Sequence, residues 1–565
     1  MSKKRWVLKK QEKETVDRLS KELSLHPLVI SVMMNRGLKS KDEMNAFIHP
    51  DARCFHDPYL LKDMNKAVQR VQKAIAQNEK IAVYGDYDVD GITSVSVLYL
   101  ALKEMKADVV FFIPDRHKEG YGVNAPAVRH LKEQGVSLII TVDCGITAID
   151  EVLLGKELEV DMILTDHHQC PAQIPEATAV INPKQPDCPY PFQDLAGVGV
   201  TFKLVQALVG MQSLPRLMER YGALTALGTV ADIVPLKDEN RAIVSYGIKH
   251  MKEDQNIGIQ ALLQVSGFAE SEINAGTLGF QLAPRINAAG RIGNADFGVK
   301  LFTSDNPQEA KNIADMLDRQ NQLRKEIEHQ IYEEAKALLQ NDKSILSQNI
   351  ILLSHRGWHH GVIGIVASRL TEEYYKPCIL FTEENGIHKG SARSVKGFNI
   401  YDALCAVRPY IERFGGHELA AGLTLRDEQF EAFKHSLEAY CKEHVSDEML
   451  IQQIPLDGEI HDSDMTAQLV EELKMLEPFG MGNAQPNFLV RKAKIVKNFA
   501  FKEGKHLKLS LCQRDKYIDA VGFSMGKYSA VLKKGDLVSV AGNIYINEFR
   551  GEKYFSIRIK DIRLS

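Results

Sequence analysis

Between residues 80 and 183 five short apolar runs recur: "KIAVYG" (80–85), "DVVFFIP" (108–114), "SLIITVD" (137–143), "DMILTD" (161–166) and "TAVINP" (178–183). Each is rich in β-branched residues and too short to be a buried helix. Helix-like segments such as "GITSVSVLYLALKEM" (91–105) and "APAVRHLKEQG" (125–135) separate the earlier ones. Strand, helix and strand at this spacing predict βαβ units and an α/β fold around a parallel sheet buried on both faces. That architecture sets the carboxyl ends of all its strands along one edge, where ligands bind in open α/β sheets.

Chemistry-bearing residues sit at those ends. After the first run, "GDYDVDG" crowds Asp86, Asp88 and Asp90 into five positions. Like charges so close cost stability unless something positive lies among them. Asp143 ends the third run, and Asp166, His167 and His168 end the fourth in "LTDHH". An Asp triplet after a strand alone suits an ordinary turn, and a His pair alone suits a structural role. Their conjunction on successive strand ends points instead to divalent cations. Oxygen and imidazole donors without thiolate suit Mn²⁺ or Mg²⁺, with Zn²⁺ also compatible. Asp143 is the candidate bridge between two ions. Two metals roughly 3.5–4 Å apart favour in-line displacement at phosphorus.

The remaining chain is long enough, at 565 residues, for three or four domains. Residues 1–75 read as helical and polar. A helical region runs from Val198 to about Ser266, and residues 307–340, without internal Pro or Gly, read as one long charged connecting helix. A second α/β pattern starts at "NIILLSH" (349–355) and extends to about Cys441. From about Leu456 short strands and turns predict a small β-barrel of the OB type. The N-terminus lacks the apolar core of a secretory signal. No apolar run reaches the ~18 residues of a membrane span. The eight cysteines form no CxxC pair and read as reduced thiols of a cytoplasmic protein.

Charge is distributed unevenly. From Pro486 to Ser565 there are 17 Lys and Arg against 7 Asp and Glu, so the tail carries +10 and the preceding residues −14. A polyanion partner for the tail follows. Its charge is interleaved with Phe488, Phe499, Phe501, Tyr517, Phe523, Tyr528, Tyr545, Phe549, Tyr554 and Phe555. Exposed rings of this kind stack on unpaired bases, although more than half are expected to fill the barrel core. Lys492, Lys494, Lys505 and Lys508 are the first candidates for backbone contact.

"GDYDVDG", "VDCG" and "TDHH" resemble the signature motifs of the DHH phosphoesterase superfamily. Within it, "PYPFQDLAGVGVTFKL" (189–204), "GTVADIVPL" (228–236), "PRINAAGR" (284–291), "WHHGVIGIVASRL" (358–370), "GSARS" (390–394) and "GGHELAAG" (415–422) resemble the RecJ family of bacterial single-strand-specific DNA exonucleases. The resemblance runs from about residue 45 to the C-terminus. It implies an N-terminal helical segment (1–75), a DHH domain (76–300), a connecting helix (301–342), a DHH-associated domain (343–450) and an OB-fold nucleic-acid-binding domain (451–565). Relatives often carry a further C-terminal domain, and this chain is expected to end with the OB-like one.

Carried onto this sequence, the family pattern makes Asp88, Asp90, Asp143, His167 and Asp232 the ligands of two Mn²⁺ or Mg²⁺ ions. Some DHH proteins place a histidine just upstream of the aspartates; here Tyr84 stands there and is not counted. Asp86 fits a role behind the ligands, and Asp166 one of holding the His pair. His168 fits a contact to a phosphate oxygen or protonation of the leaving group, which adds it to the catalytic set. In "GGHELAAG", Gly415 and Gly416 permit close backbone approach and could cradle a phosphate beside His417; a tight turn into a packed helix is the plainer alternative. The resemblance adds Arg393 and Ser394 of "GSARS" to that site. His359 and His360 fit phosphate or DNA contact as well as core packing, and Arg285 and Arg291 fit a clamp on the strand near the metals.

The activity implied is 5′→3′ degradation of single-stranded DNA to 5′-mononucleotides, in recombination and repair, by a cytoplasmic monomer without membrane contact. The polarity rests on the resemblance alone, as do the protein partners: a single-strand binding protein, a RecQ-type helicase and mismatch-repair factors. Two rivals remain. DHH enzymes of short oligonucleotides or cyclic dinucleotides usually lack the OB-like domain, so the basic tail weighs against them. A DNA-binding scaffold with an inactive site would have lost ligands, and here every expected ligand is present.

Overall fold

The computed structural model of the chain describes residues 4–115, 122–549 and 552–565. It divides into two compact units. The first comprises Gln11–Asn321 together with Thr466–Gln485; the second comprises residues 4–10, Gln322–Met465 and Pro486–Ser565. The N-terminal segment is not wholly helical, because it opens on strand β1 (Arg5–Leu8), which pairs in parallel with Gln453–Leu456 of the second unit.

The first unit is built on five parallel strands: β2 (Lys80–Gly85), β3 (Asp108–Phe112), β4 (Val136–Val142), β5 (Asp161–Thr165) and β6 (Ala179–Ile181). They lie in the order β3-β2-β4-β5-β6, so the connections reverse direction between β2 and β4. Both strands are apolar almost throughout because both faces are covered. Ile81, Val83, Ile140 and Val142 enter one core; Ala82, Tyr84 and Ile139 enter the other. Helix α1 (Val89–Glu104) follows β2 and is apolar on nearly every side. It packs against α2 (Gly197–Val209) and α3 (Leu214–Ala231), which bury it completely along its first turns.

A stretch far down the chain completes this unit. Arg241 is fully buried, and its guanidinium stacks on Phe47 with 3.7 Å to the ring centroid. It donates to the carbonyls of Phe47, Met475, Leu476, Glu477 and Pro478. Asn483 Nδ2 donates to two of the same carbonyls, Leu476 and Pro478. Leu236 N donates to Met481 O at 2.8 Å. Thr466–Gln485 therefore packs as part of the first unit, although it lies inside the sequence segment expected to form the barrel.

Helix α4 (Ala283–Ile292) also belongs to the first unit, and the long helix α5 (Pro307–Asn341) begins there and continues into the second. The second unit carries a mixed sheet of β7 (Ile351–Arg356), β8 (Cys378–Glu384), β9 (Ile387–Arg393), β10 (Arg413–His417) and β11 (Ala420–Arg426) in the order β10-β11-β9-β8-β7. Only β7 and β8 are parallel, joined by the crossover helix α6 (His360–Tyr374). After β12 (Gln453–Leu456) and β13 (Gly458–Glu459), five strands close into a barrel: β14 (Phe488–Phe501), β15 (His506–Gln513), β16 (Lys516–Gly522), β17 (Leu537–Phe549) and β18 (Glu552–Leu564), with β14 paired to both β15 and β17.

The barrel interior is aliphatic, filled by Ile495, Leu507, Leu509, Leu511, Ile518, Val538, Val540, Ile557 and Ile562. The aromatic expectation is corrected accordingly. Phe488 and Phe555 are buried; Phe501, Tyr528 and Tyr545 are half-buried; Phe499, Tyr517, Phe523 and Tyr554 are exposed. The side chain of Phe549 lies outside the described residues. Among the described residues no helix is long and apolar enough to cross a membrane.

Candidate metal centre and nucleic-acid contacts

Asp88 is the N-cap of α1 and accepts a hydrogen bond from Gly91 N at 3.1 Å, which satisfies one orphan amide of the helix. Asp90 lies in the first turn, where Gly197 N and Val198 N at the start of α2 donate to it at 2.7 and 2.8 Å. These two amides were not singled out from the sequence. Gly197 has a further reason to be glycine: a Cβ there would stand 2.5 Å from Asp143 Oδ1. Asp143 follows β4 with φ 60, a left-handed conformation that costs a residue with a side chain roughly 1–2 kcal/mol. Asp232 caps the end of α3, and the next residue, Ile233, also sits at positive φ.

Four stretches of chain thus converge. His167 Nε2 lies 3.2 Å from Asp143 Oδ1, 3.5 Å from Asp232 Oδ2 and 3.9 Å from Asp90 Oδ2. Asp86, Asp88 and Asp143 each bring one carboxylate oxygen within 4.8 Å of the others; one oxygen each of Asp90 and Asp232 and a ring nitrogen of His167 do the same. Asp143 belongs to the first cluster and touches the second through His167. Asp143 Oδ1 and Asp232 Oδ2, which flank His167, are buried without a hydrogen-bond partner. Buried polar atoms are otherwise paired almost without exception. Two divalent cations fit this donor set of carboxylates and one imidazole.

The protonation energetics describe a site built for positive charge. Burial, then the charge of Asp88, raises the Asp90 carboxyl to about 7. Burial, then Asp90 and Asp88, raises Asp232 to about 9 and lifts Asp143 well above the usual carboxylate range. Burial, with the charge of His168, lowers the His167 imidazole to about 3, which leaves it neutral as a ligand must be.

Asp166 holds the pair in place. Its Oδ1 accepts from His167 N, His168 N and His168 Nδ1, and its Oδ2 accepts from Ile146 N. Burial acts to lower His168, but its hydrogen bond to Asp166 and the attraction of that carboxylate outweigh it and raise the imidazole to about 9. The adjacent histidines are therefore a neutral one and a protonated one. Half-buried Lys184, also not singled out from the sequence, adds a positive charge felt by both His167 and Asp232.

The two arginines of "PRINAAGR" separate in role. Arg285 Nε donates to Asp318 at 2.8 Å and Nη1 to Gln281 O at 2.6 Å, so it is committed to fixing α4. Arg291 is half-buried in the last turn of α4. A Cβ on the preceding Gly290 would stand 2.8 Å from Tyr87 O, which places this turn directly on the acidic loop.

In the second unit "GGHELAAG" forms a hairpin between β10 and β11, not a turn into a helix. Ala420 pairs with His417 on one side and with Arg393 on the other, which brings those side chains' strands together. Ser394 N donates to Leu419 O at 2.9 Å. Arg393 is held by Ser368 Oγ at 3.0 Å, Ser391 Oγ at 3.1 Å and Ala392 O at 2.7 Å. Gly364 of α6 lets it pass, since a Cβ would stand 3.0 Å from its Nη2. Gly415 and Gly416 are exposed, and His359 and His360 form the N-cap and first residue of α6. On the barrel, Lys492, Lys494 and Lys505 are exposed, whereas Lys508 is partly engaged by Asp519 at 3.5 Å. Phe499 pairs across strands with Lys508, placing a ring beside a cation.

Three family models match the chain: the DHH family N-terminal domain over residues 80–229, the DHHA1 domain over 342–443 and the RecJ OB domain over 456–561. The single-stranded-DNA-specific exonuclease RecJ of Bacillus subtilis (strain 168) is 40% identical over 567 residues, spanning 100% of this chain and 71% of that protein. A crystal structure of RecJ from Thermus thermophilus in complex with Mn²⁺ superposes with a TM-score of 0.85 at 30% identity, covering 99% of this chain and 80% of that one. The corresponding Mg²⁺ complex gives a TM-score of 0.78 at 28% identity, covering 99% and 78%.

Proposed function

The chain belongs to the RecJ family of single-stranded-DNA-specific exonucleases, and on that premise we propose that it releases 5′-mononucleotides from the 5′ end of single-stranded DNA by two-metal-ion hydrolysis, in recombination and repair. The observation that carries this reading is the convergence of Asp88, Asp90, Asp143, His167 and Asp232, with buried donor atoms left unpartnered at its centre. These five are the proposed ligands of two Mn²⁺ or Mg²⁺ ions, and Asp143 is the residue shared between them. When bound, such ions supply Lewis-acid charge opposite the attacking and departing oxygens of an in-line displacement.

The chain's own groups do the rest. The amides of Gly197 and Val198 orient Asp90. Asp166 keeps His168 protonated, which suits it to donate to a phosphate oxygen or to the departing 3′-oxygen. Asp86 stands beside Asp88 and Asp143 and shapes the first cluster. Arg393, Ser394, Gly415, Gly416 and His417 suit a terminal phosphate, because N–H donors beside a fixed guanidinium match a dianion better than an internal diester. His359, His360, Arg291 and the barrel lysines suit contacts along the strand, and Arg285 supports them by fixing α4. The place of action is the cytoplasm and the acting species a monomer. A single-strand binding protein, a RecQ-type helicase and mismatch-repair factors are the proposed partners, on family grounds.

The test is degradation of end-labelled DNA with Mn²⁺. Mononucleotides should leave the 5′ end of a single strand, and a blunt duplex of the same sequence should persist. Internal cuts, release from the 3′ end or equal attack on duplex would overturn the reading.

A further inference from the structure

We propose that Ile233 and Phe280 form an apolar platform at the metal centre that packs against the sugar and base of the nucleotide being released. Ile233 immediately follows Asp232, whose carboxylate lies 3.5 Å from His167 Nε2. It is β-branched, sits at φ 63 and is 71% exposed. Such a residue gains nothing from burial and strains the backbone, where Gly or Asn would sit at ease. Strain of this kind persists where a ligand makes use of it.

Phe280 is a second, independent irregularity on the adjoining element. It lies in a π-helical turn, Leu278–Leu282, that packs against the end of α3. Isolated π turns recur at functional sites. A Cβ on Gly279 would stand 3.4 Å from Val230 Cγ1, and Val230 is one turn before Ile233. The ring of Phe280 is 79% exposed, the highest exposure of any large apolar side chain among the described residues. Two large apolar groups are thus held in water, one directly after a residue of the polar cluster and one on a turn packed against the same helix. Phosphate cannot be their partner. The parts of a nucleotide within reach of a scissile phosphate that match them are the deoxyribose and the face of an unpaired base, on which aromatic and aliphatic side chains pack without regard to sequence.

The inference rests on the exonuclease reading, and its test separates the two. Two 5′-phosphorylated single strands are compared, one with an ordinary terminal nucleotide and one with an abasic terminal residue. Mn²⁺-dependent release by the unaltered protein establishes the activity, and failure there sinks the function and not the platform alone. Given activity, the unaltered protein should release the ordinary nucleotide about tenfold more efficiently than the abasic one. Ile233→Gly, which removes the side chain and relieves the backbone, and Phe280→Ala should each shrink that ratio toward one. The Mn²⁺ concentration for half-maximal rate is measured in parallel. A ratio that survives both substitutions, or substitutions that slow both substrates equally while shifting the Mn²⁺ requirement, would show that these residues act only through Asp232 and would overturn the platform.

Discussion

The proposed metal centre and the proposed contact surface of the barrel would both use charge to meet DNA, in opposite ways. At the metal centre Asp86, Asp90, Asp143 and His167 are buried, few and mutually opposed, so each group carries a large interaction energy. On the barrel Lys492, Lys494 and Lys505 are exposed and screened, so in the proposed contact each would carry little and the effect would lie in their number. The proposed function would thereby concentrate chemistry where single substitutions are ruinous and spread affinity where they are tolerated.

Asp143→Ala tests the concentrated end. It should lower the rate on the order of a thousandfold while DNA binding is mostly kept. A near-normal rate on single strands would remove the two-metal assignment. His167→Ala should weaken Mn²⁺ binding strongly and His168→Ala little, since Asp166 already holds the His168 ring; equal metal loss in both would erase the distinction.

Next in size is the terminal phosphate. Strands with a 5′-phosphate should be cut faster than strands with a 5′-hydroxyl, and Arg393→Ala should reduce that preference about tenfold or more without changing the Mn²⁺ requirement. Kinetics on both substrates decide it. A preference that persists in full places the phosphate elsewhere.

Removing metal has a pH signature. The raised carboxyls, Asp90 at about 7 and Asp232 at about 9, favour the protonated form in the fold. Their contribution to stability is fully present below the ordinary carboxylate range and is lost as pH rises through those values. The chelated protein should therefore melt several degrees lower at about pH 8.5 than at about pH 6, and Mn²⁺ should abolish most of the difference. A chelated Tm indifferent to pH over this window would mean the carboxylates are already compensated.

The smallest effects belong to the barrel. Lys494→Ala should weaken binding of long single strands only a few-fold and reduce the salt slope by about one. Lys508→Ala should do less, because Asp519 already engages that lysine. Binding titrations at several salt concentrations check both, and unchanged slopes would move the strand off this face. Surface substitutions are the cleaner probe here, because a truncation before Leu456 strips Arg241 of four of its five carbonyl acceptors.

What could be read from the sequence follows the range of the forces involved. The five strands and the acidic residues at their ends were legible, because periodicity and strand direction are local and fix the edge on which Asp86, Asp88, Asp90, Asp143 and His167 meet. The amides of Gly197 and Val198 were not, because their partner Asp90 is more than a hundred residues away and any glycine-rich helix start would look the same. Arg285 carried no sign that Asp318 would claim it. The barrel rings were misjudged for a geometric reason. Alternation from buried Ile495 would turn Phe499 inward, but a bulge between Ile495 and Lys497 shifts the register and turns it to solvent.

The grip of Arg241 has a consequence for how the molecule is made. Four of its five acceptors lie 234 to 237 residues downstream. On a ribosome adding about 5–20 residues per second, roughly ten to fifty seconds separate the appearance of the guanidinium from that of the carbonyls that hold it. The first unit therefore cannot close when Asn321 emerges. A nascent chain halted there presents a cation whose backing turn has not yet been made, and the last pieces of the first unit arrive only after the mixed sheet of the second has been synthesised.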